Sequence, residues 1–165
     1  MVSANCPAAR LPGIFFKQTN SYLLMRYQYH CLYYSVVTKA KYRAKHMAQI
    51  LLVDDSISMR EMVSFTLKEA GHDVIEAEDG IQALDVVQNN AFNLVITDVN
   101  MPNMDGIILT SKLRQIDSFK FTPILILTTE TSDARKQDGK AAGATGWIEK
   151  PFDPDSLLST VDRVL

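Results

Sequence analysis

Five polar side chains with a capacity for chemistry follow short apolar runs of this 165-residue sequence. Each run has the length and composition of a strand that is buried on both faces of a sheet. The five side chains are Asp54 and Asp55 after residues 50–53, Asp98 after 94–97, Thr128 after 124–127 and Lys150 after 146–148. If these runs are parallel strands of one sheet, all five side chains lie at its carboxyl edge, where ligands bind in such folds.

The five side chains have complementary chemistry. Carboxylates that lie close together repel one another, and a hard divalent cation such as Mg²⁺ relieves that repulsion while keeping open positions for phosphate oxygens. A lysine ammonium and a threonine hydroxyl can bind the same oxygens. An aspartate carboxylate can also attack a phosphoryl group and form an aspartyl phosphate, while a metal and a lysine stabilise the transferred charge. The set therefore predicts a phosphate-handling site with magnesium.

Each of these residues also has an ordinary structural explanation. The first two acids could cap a helix, because acids interact favourably with the N-terminal end of a helix dipole. Asp98 could be a turn residue, and Thr128 could be a strand-end hydroxyl. Lys150 could be a solvated side chain, and the single tryptophan, Trp147, could belong to the core. The functional interpretation depends on the occurrence of all five polar residues at successive strand ends.

The elements that must position these side chains alternate between strand and helix. The apolar periodicity predicts strands at 50–53, 74–77, 94–97, 124–127 and 146–148. Caps and periodicity predict helices at about 57–70, 81–87, 105–115, 133–142 and 154–165. Five strand–helix units of this kind predict an α/β fold, with a parallel sheet that helices cover on both faces.

The helical periodicity also predicts which side chains face the core. In the third and last helices these are Ile107, Ile108, Leu109 and Leu113, and then Leu157, Leu158, Val161, Val164 and Leu165. The fourth helix has an interior glycine, Gly139, which costs about 1 kcal/mol of helix stability relative to alanine. We therefore expect this helix to be weak.

The charges divide the chain into two parts. Residues 1–46 contain seven basic and no acidic side chains, whereas residues 47–165 carry a formal charge of −9. That negative charge argues against nucleic-acid binding, which requires a basic surface. The two cysteines lack the spacing of a zinc site, and no run reaches the roughly 18 apolar residues of a membrane helix. We therefore expect a cytoplasmic protein without membrane insertion.

Four motifs in residues 47–165 resemble those of response-regulator receiver domains in two-component signalling, and most of all those of single-domain chemotaxis regulators. The motifs are LVDDS at 52–56, DVNMPNMDG at 98–106, LTT at 127–129 and KPF at 150–152. The resemblance implies a flavodoxin-like, doubly wound sheet of five parallel strands in the order 2-1-3-4-5 with five helices. We therefore expect residues 47–165 to form a receiver domain.

The resemblance assigns a role to each acid of the candidate site. It implies that Asp98 is the phosphoacceptor and that Mg²⁺ is the cofactor. The implied magnesium ligands are Asp54, Asp55, Asp98 and the backbone carbonyl of Asn100.

The resemblance also assigns roles to the remaining residues at the strand ends. Thr128 and Lys150 match the hydroxyl and ammonium that bind the phosphoryl oxygens. Trp147 occupies the position of the switch aromatic, where Tyr or Phe is common in the family. The peptide bond between Lys150 and Pro151 is expected to be cis, as X-Pro bonds can be when the fold holds them.

The resemblance implies a signalling module and not an enzyme, one that catalyses only its own phosphoryl transfer and slow dephosphorylation. The implied partners are a histidine kinase, an output protein such as the flagellar motor switch, and possibly a phosphatase. Because the sequence stops after the fifth helix, we expect no attached DNA-binding or enzymatic output domain. Output should come from a surface contact on the fourth helix, fifth strand and fifth helix.

Two alternatives stay open at this point. The receiver domain could serve as a phosphate sink or as a regulator unrelated to motility. The chain could instead be a small magnesium-dependent phosphatase or phosphotransferase with a similar sheet. Such enzymes need a second catalytic acid two residues after the nucleophile, and here that position is Asn100. This difference argues against the enzyme.

Residues 1–46 share neither charge balance nor periodicity with the rest of the chain, and we expect a poorly ordered extension or an over-called start. We predict that deleting them leaves folding and phosphorylation intact, because little core should cross Met47. Thermal unfolding of the truncated and full-length chains checks this prediction. A fall in melting temperature of several degrees or more on truncation would contradict it.

Overall fold

The computed structural model describes residues 47–129 and 132–165, and the expectation for residues 1–46 lies outside them. In these residues five strands alternate with five helices. The strands are β1 Gln49–Val53, β2 Asp73–Ala77, β3 Leu94–Asp98, β4 Ile124–Thr128 and β5 Gly146–Glu149. The helices are α1 Ile57–Glu69, α2 Gly80–Val87, α3 Gly106–Leu113, α4 Asp133–Ala142 and α5 Pro154–Val164. A short 3₁₀ turn at Asp117–Phe119, which the sequence did not predict, precedes β4.

The five strands form one parallel sheet in the order β2-β1-β3-β4-β5. This confirms the predicted flavodoxin-like topology. The order reverses at β1, which pairs with β2 on one side and with β3 on the other. Because β1 and β3 are neighbours, with Val53 opposite Thr97, the residues that follow them meet at the carboxyl edge of the sheet.

Helices cover the sheet in two groups. Helix α1 contacts α5, whereas α2 contacts α3 and α3 contacts α4. One continuous core cluster joins the sheet to α2 and α3, and its members include Leu51, Val53, Val95, Ile124, Ala83, Val87, Leu109 and Leu113. The three central strands are apolar almost throughout, since they are buried on both faces.

Part of the predicted core is wrong. In α3, Ile108 is 49% exposed and Ile107 is half-buried, while Thr110 is fully buried and donates a hydrogen bond to the Gly106 carbonyl over 2.7 Å. Successive helical residues point about 100° apart, so a run of three apolar residues cannot all face the sheet. At the end of α5, Val164 is half-buried and Leu165 is 48% exposed, so neither belongs to the buried stripe of Leu157, Leu158 and Val161.

Side-chain caps set the starts of four helices. Ser56, Asp79, Asp105 and Asp153 each accept a hydrogen bond from a backbone N–H in the first turn of α1, α2, α3 and α5. Helix α4 ends at Ala142 and is capped by Gly143, whose φ of 99° is in the left-handed region that suits glycine. Within the described residues, no helix is both long enough and apolar enough to cross a bilayer.

Candidate functional site

Three carboxylates meet at the carboxyl edge of β1 and β3. Oxygens of Asp54, Asp55 and Asp98 all lie within 4.8 Å of one another. Asp54 and Asp98 are buried, whereas Asp55 is exposed. Because unpaired carboxylates are costly to bury, this cluster requires nearby positive charge.

Lys150 supplies part of that charge. Its Nζ lies 2.6 Å from Oδ2 of Asp54 and 3.2 Å from Oδ1 of Asp98, and its side chain is 10% exposed. The position is fixed through the backbone, since the Lys150 N–H donates to the Thr128 carbonyl over 2.8 Å at the end of β4. The Lys150–Pro151 peptide bond that follows is cis. Two buried carboxylates therefore share one ammonium.

The electrostatics of the site single out Asp98. Burial raises the pKa of its carboxyl above the usual value, and the negative charge of Asp54 raises it further. The positive charge of Lys150 and the backbone hydrogen bond from Val99 oppose this rise without cancelling it. The folded structure thus disfavours the ionised form of Asp98. A further positive charge nearby, or neutralisation of the carboxylate, would remove this unfavourable free energy.

One backbone N–H and one further side chain hold the first acid in place, through contacts that sequence reasoning missed. The backbone N–H of Ser56 donates to Oδ1 of Asp54 over 2.9 Å. Arg60 in α1 donates from Nη1 to the Asp54 carbonyl over 2.5 Å, and its Nε lies 4.0 Å from Oε2 of Glu76 in β2. The sequence feature that could have indicated this contact is an arginine, Arg60, one turn into the helix that follows Asp54 and Asp55.

The loop after β3 is tied to the loop after β2. Asp79 accepts a hydrogen bond from Nδ2 of Asn103 over 2.6 Å, and Asn103 has a φ of 62°. At the end of this loop Gly106 packs against the backbone of Asp98, where a Cβ would lie 1.9 Å from the carbonyl oxygen. Asn100 is exposed at the start of the same loop. These contacts fix both ends of the loop that carries Asn100.

Thr128 and Trp147 lie on neighbouring strands. Thr128 is fully buried at the end of β4, opposite Glu149 of β5. Trp147 is half-buried in β5, opposite Ile126 of β4. The structure therefore places the hydroxyl residue at the carboxyl edge of the sheet, and the aromatic residue two residues further from that edge.

The donor set fits a magnesium ion. The group consists of carboxylate oxygens alone, which are hard ligands of the type that Mg²⁺ prefers. With Lys150 included, three acids and one ammonium leave an excess of two negative charges, which one divalent cation neutralises. Because Asp55 is exposed, an ion held by these three acids would keep contact with solvent.

Comparisons with known proteins agree with this geometry. The response regulator receiver domain family matches residues 50–162. The chain belongs to this family. A chemotaxis protein CheY homolog of Campylobacter jejuni is 40% identical over 119 residues, which cover 71% of this chain and 92% of the relative. Chemotaxis protein CheY1 of Helicobacter pylori is also 40% identical over 119 residues, covering 71% of this chain and 96% of the relative.

Solved structures that resemble the receiver domain include further chemotaxis regulators. The chemotaxis response regulator CheY4 of Vibrio cholerae is 55% identical, with a TM-score of 0.70 over 73% of this chain and 100% of that one. These findings confirm the family inferred from the four motifs. The receiver domain of this chain is thus CheY-like, a member of a family of signalling modules.

Proposed function

We propose that this receiver domain is phosphorylated on Asp98 by a histidine kinase and signals through phosphorylation-dependent protein binding, in the control of chemotaxis and the flagellar motor. The observation that carries the proposal is the position of Asp98, buried at the strand edge with Lys150 Nζ 3.2 Å from its Oδ1 and two more acids beside it. The CheY-like relatives support the chemotactic role and a cytoplasmic location.

The proposed reaction is a phosphoryl transfer to a carboxylate. An oxygen of Asp98 attacks the phosphorus of a phosphohistidine, the new O–P bond forms as the N–P bond breaks, and the nitrogen keeps the electron pair of the broken bond. Lys150 stays beside the acceptor and balances negative charge on the transferred oxygens. No base is needed, because the carboxylate is already the attacking form.

The magnesium ion belongs to the same proposal. Asp55, Asp98 and the Asn100 carbonyl would hold it, with Asp54 acting mostly through water, and when bound it supplies positive charge to the phosphoryl oxygens.

Magnesium binding can be measured without phosphorylation. We predict that titration with Mg²⁺ changes the fluorescence of Trp147 in a saturable way, and that Asp55→Ala abolishes the change because it removes a ligand and a charge. Glu78→Ala, which removes an exposed acid after β2, is the matched control and should titrate like the natural chain. Unaltered binding in Asp55→Ala would exclude the metal from this site.

The proposed switch couples Thr128 to Trp147. Phosphorylation converts the carboxylate of Asp98 into an acyl phosphate that carries about two negative charges. Thr128 gains a charge-assisted hydrogen bond to the phosphoryl group by moving toward it, and Trp147 fills the vacated space beneath α4. Such a switch needs an element with two arrangements, and α4, with its interior glycine, is the candidate.

We predict that Thr128→Ala still accepts phosphate but transmits poorly, because the hydrogen bond that draws the strand end toward the phosphoryl group is lost. The measurement compares affinity for the output partner and quenching of Trp147 in both proteins, with beryllofluoride as the phosphoryl mimic. Thr129→Ala, at the exposed neighbouring position, is the control. Partner binding by Thr128→Ala as tight as in the natural chain would show that the coupling is wrong.

The output surface is proposed to be the face formed by α4, β5 and α5. Its exposed residues include charged side chains of both signs, among them Lys136, Lys140, Glu149 and Asp155. The test is a binding assay with a flagellar motor switch protein, with and without beryllofluoride. Binding that increases with the mimic supports motor control. Phosphorylation without any increase in binding would favour a phosphate sink or a regulator unrelated to motility.

A further inference from the structure

At one position of α4, Gly139, the ring of Trp147 leaves no room for a side chain. Gly139 is buried, whereas every other residue of α4 is exposed or half-buried. A Cβ at Gly139 would lie 2.4 Å from Cζ3 and 3.3 Å from Cη2 of Trp147, and 3.0 Å from Cδ1 of Ile126. Contacts under 3.0 Å are essentially absent among real Cβ atoms. The benzo part of the indole thus occupies the space that a side chain at 139 would take.

Packing alone holds the ring there. The indole Nε1 is buried, and none of the described residues offers it a hydrogen-bond acceptor. A buried tryptophan N–H normally finds an acceptor, and leaving it without one disfavours the buried position. The packing of the ring against Gly139 must offset that loss. The alternative position, with the N–H in water, is therefore accessible if the contact is weakened.

We propose that Gly139 is the positioning residue for Trp147. Because Gly139 has no side chain, it leaves a notch in α4 that admits the indole. This notch sets the balance between the inward position of the ring, packed against α4, and an outward position with its N–H in water. The helix tolerates an interior glycine because the notch is filled. The consequence for signalling rests on the proposed function, since Trp147 occupies the switch position, but the placement of the ring does not.

The first test is the exposure of Trp147 in the full chain without phosphodonor, metal or partner. Gly139→Ala should displace the ring, which shifts its emission to longer wavelength and raises its quenching by acrylamide. Ala141→Gly changes an exposed position of the same helix and should leave both signals unchanged. Unaltered emission and quenching in Gly139→Ala would overturn the proposal, as would an equal change in Ala141→Gly.

The second test uses a smaller ring in place of the indole. In a Trp147→Phe chain the benzo part of the indole is gone and only Cδ1 of Ile126, at 3.0 Å, must give slightly, so Gly139→Ala should raise the melting temperature by about 4 °C through helix propensity. In the natural chain the same substitution should lower it, or prevent folding that Trp147→Phe then restores. An equal rise in both backgrounds would refute the notch. Neither test involves phosphorylation, so either failure leaves the proposed function standing.

Discussion

Replacement of Lys150 by methionine is expected to lower the free energy of unfolding at pH 7 by about 3 kcal/mol, the order of loss measured when one partner of a buried ion pair is removed. Methionine preserves most of the side-chain volume, so the loss reports the missing charge. Asp54 is fully buried and Asp98 nearly so, and Lys150 is the cation within 3.2 Å of both carboxylates. Chemical denaturation of both proteins measures the difference.

The loss should depend on pH in a defined direction. The pKa of Asp98 is raised by folding, so the folded chain binds its proton more tightly than the unfolded chain does, and stability falls as pH rises through the interval between the two values. Removing Lys150 takes away the charge that opposes the rise. In the Lys150→Met chain the interval between the unfolded and folded pKa of Asp98 then extends to higher pH. The destabilisation caused by Lys150→Met should therefore be smallest in acid and largest at neutral pH.

A double-mutant cycle separates this explanation from a packing defect. Asp54→Asn should destabilise the natural chain, because the neutral amide replaces the 2.6 Å ion pair with Lys150 by a weaker, uncharged hydrogen bond. In the Lys150→Met chain it should restore stability, because it removes one of two carboxylates left without a cation. Lys112→Met, at an exposed position of α3, should change stability little and serves as the control. Equal effects of Asp54→Asn in both backgrounds would contradict the account.

The strand ends explain why most of the site could be predicted from sequence. A buried parallel strand tolerates few polar residues, so Asp54, Asp98 and Thr128 stood out where apolar runs stopped. Which strands are neighbours could not be read from the strand pattern alone. The resemblance of the four motifs to a known family supplied the strand order, and the observed sheet confirms it. Once β1 and β3 are adjacent, the proximity of the acids follows from the parallel register.

Other features could not be predicted, because they depend on how helices lie on the sheet. The contacts of Arg60 with the Asp54 carbonyl and Glu76 join three elements whose relative positions the sequence does not give. The same holds for Asp79 and Asn103, which join two loops. The predicted burial of Ile108 failed for a related reason: the helix direction, and not local hydrophobicity, decides which side of an apolar run meets the core.

Replacement of Asp98 by asparagine is expected to stabilise the chain while abolishing its phosphorylation. Because burial and Asp54 raise the pKa of Asp98, the ionised carboxylate is less favourable in the folded than in the unfolded state. The amide removes that charge and keeps an oxygen that can accept from Lys150. The melting temperature should therefore rise at neutral pH, and the gain should shrink toward acid pH, where the natural carboxyl is itself protonated.

A matched variant separates this effect from a general benefit of removing acids. Asp105→Asn lies in the same loop and keeps a good cap for α3, since asparagine accepts the Ile108 N–H as aspartate does over 2.7 Å. It should change the melting temperature little and leave phosphorylation intact. A lower melting temperature for Asp98→Asn at neutral pH would show that the ionised carboxylate is favoured by folding.

The most direct measurement is the intact mass of the chain after incubation with a small phosphodonor and Mg²⁺, followed by mapping of the modified residue. The natural chain and Asp105→Asn should each gain one phosphoryl group, located on Asp98, and omission of Mg²⁺ should strongly reduce the gain. Asp98→Asn should gain none. A natural chain that takes up no phosphoryl group, or an Asp98→Asn chain that is labelled as fully as the natural one, would contradict the central claim that Asp98 is the phosphoacceptor.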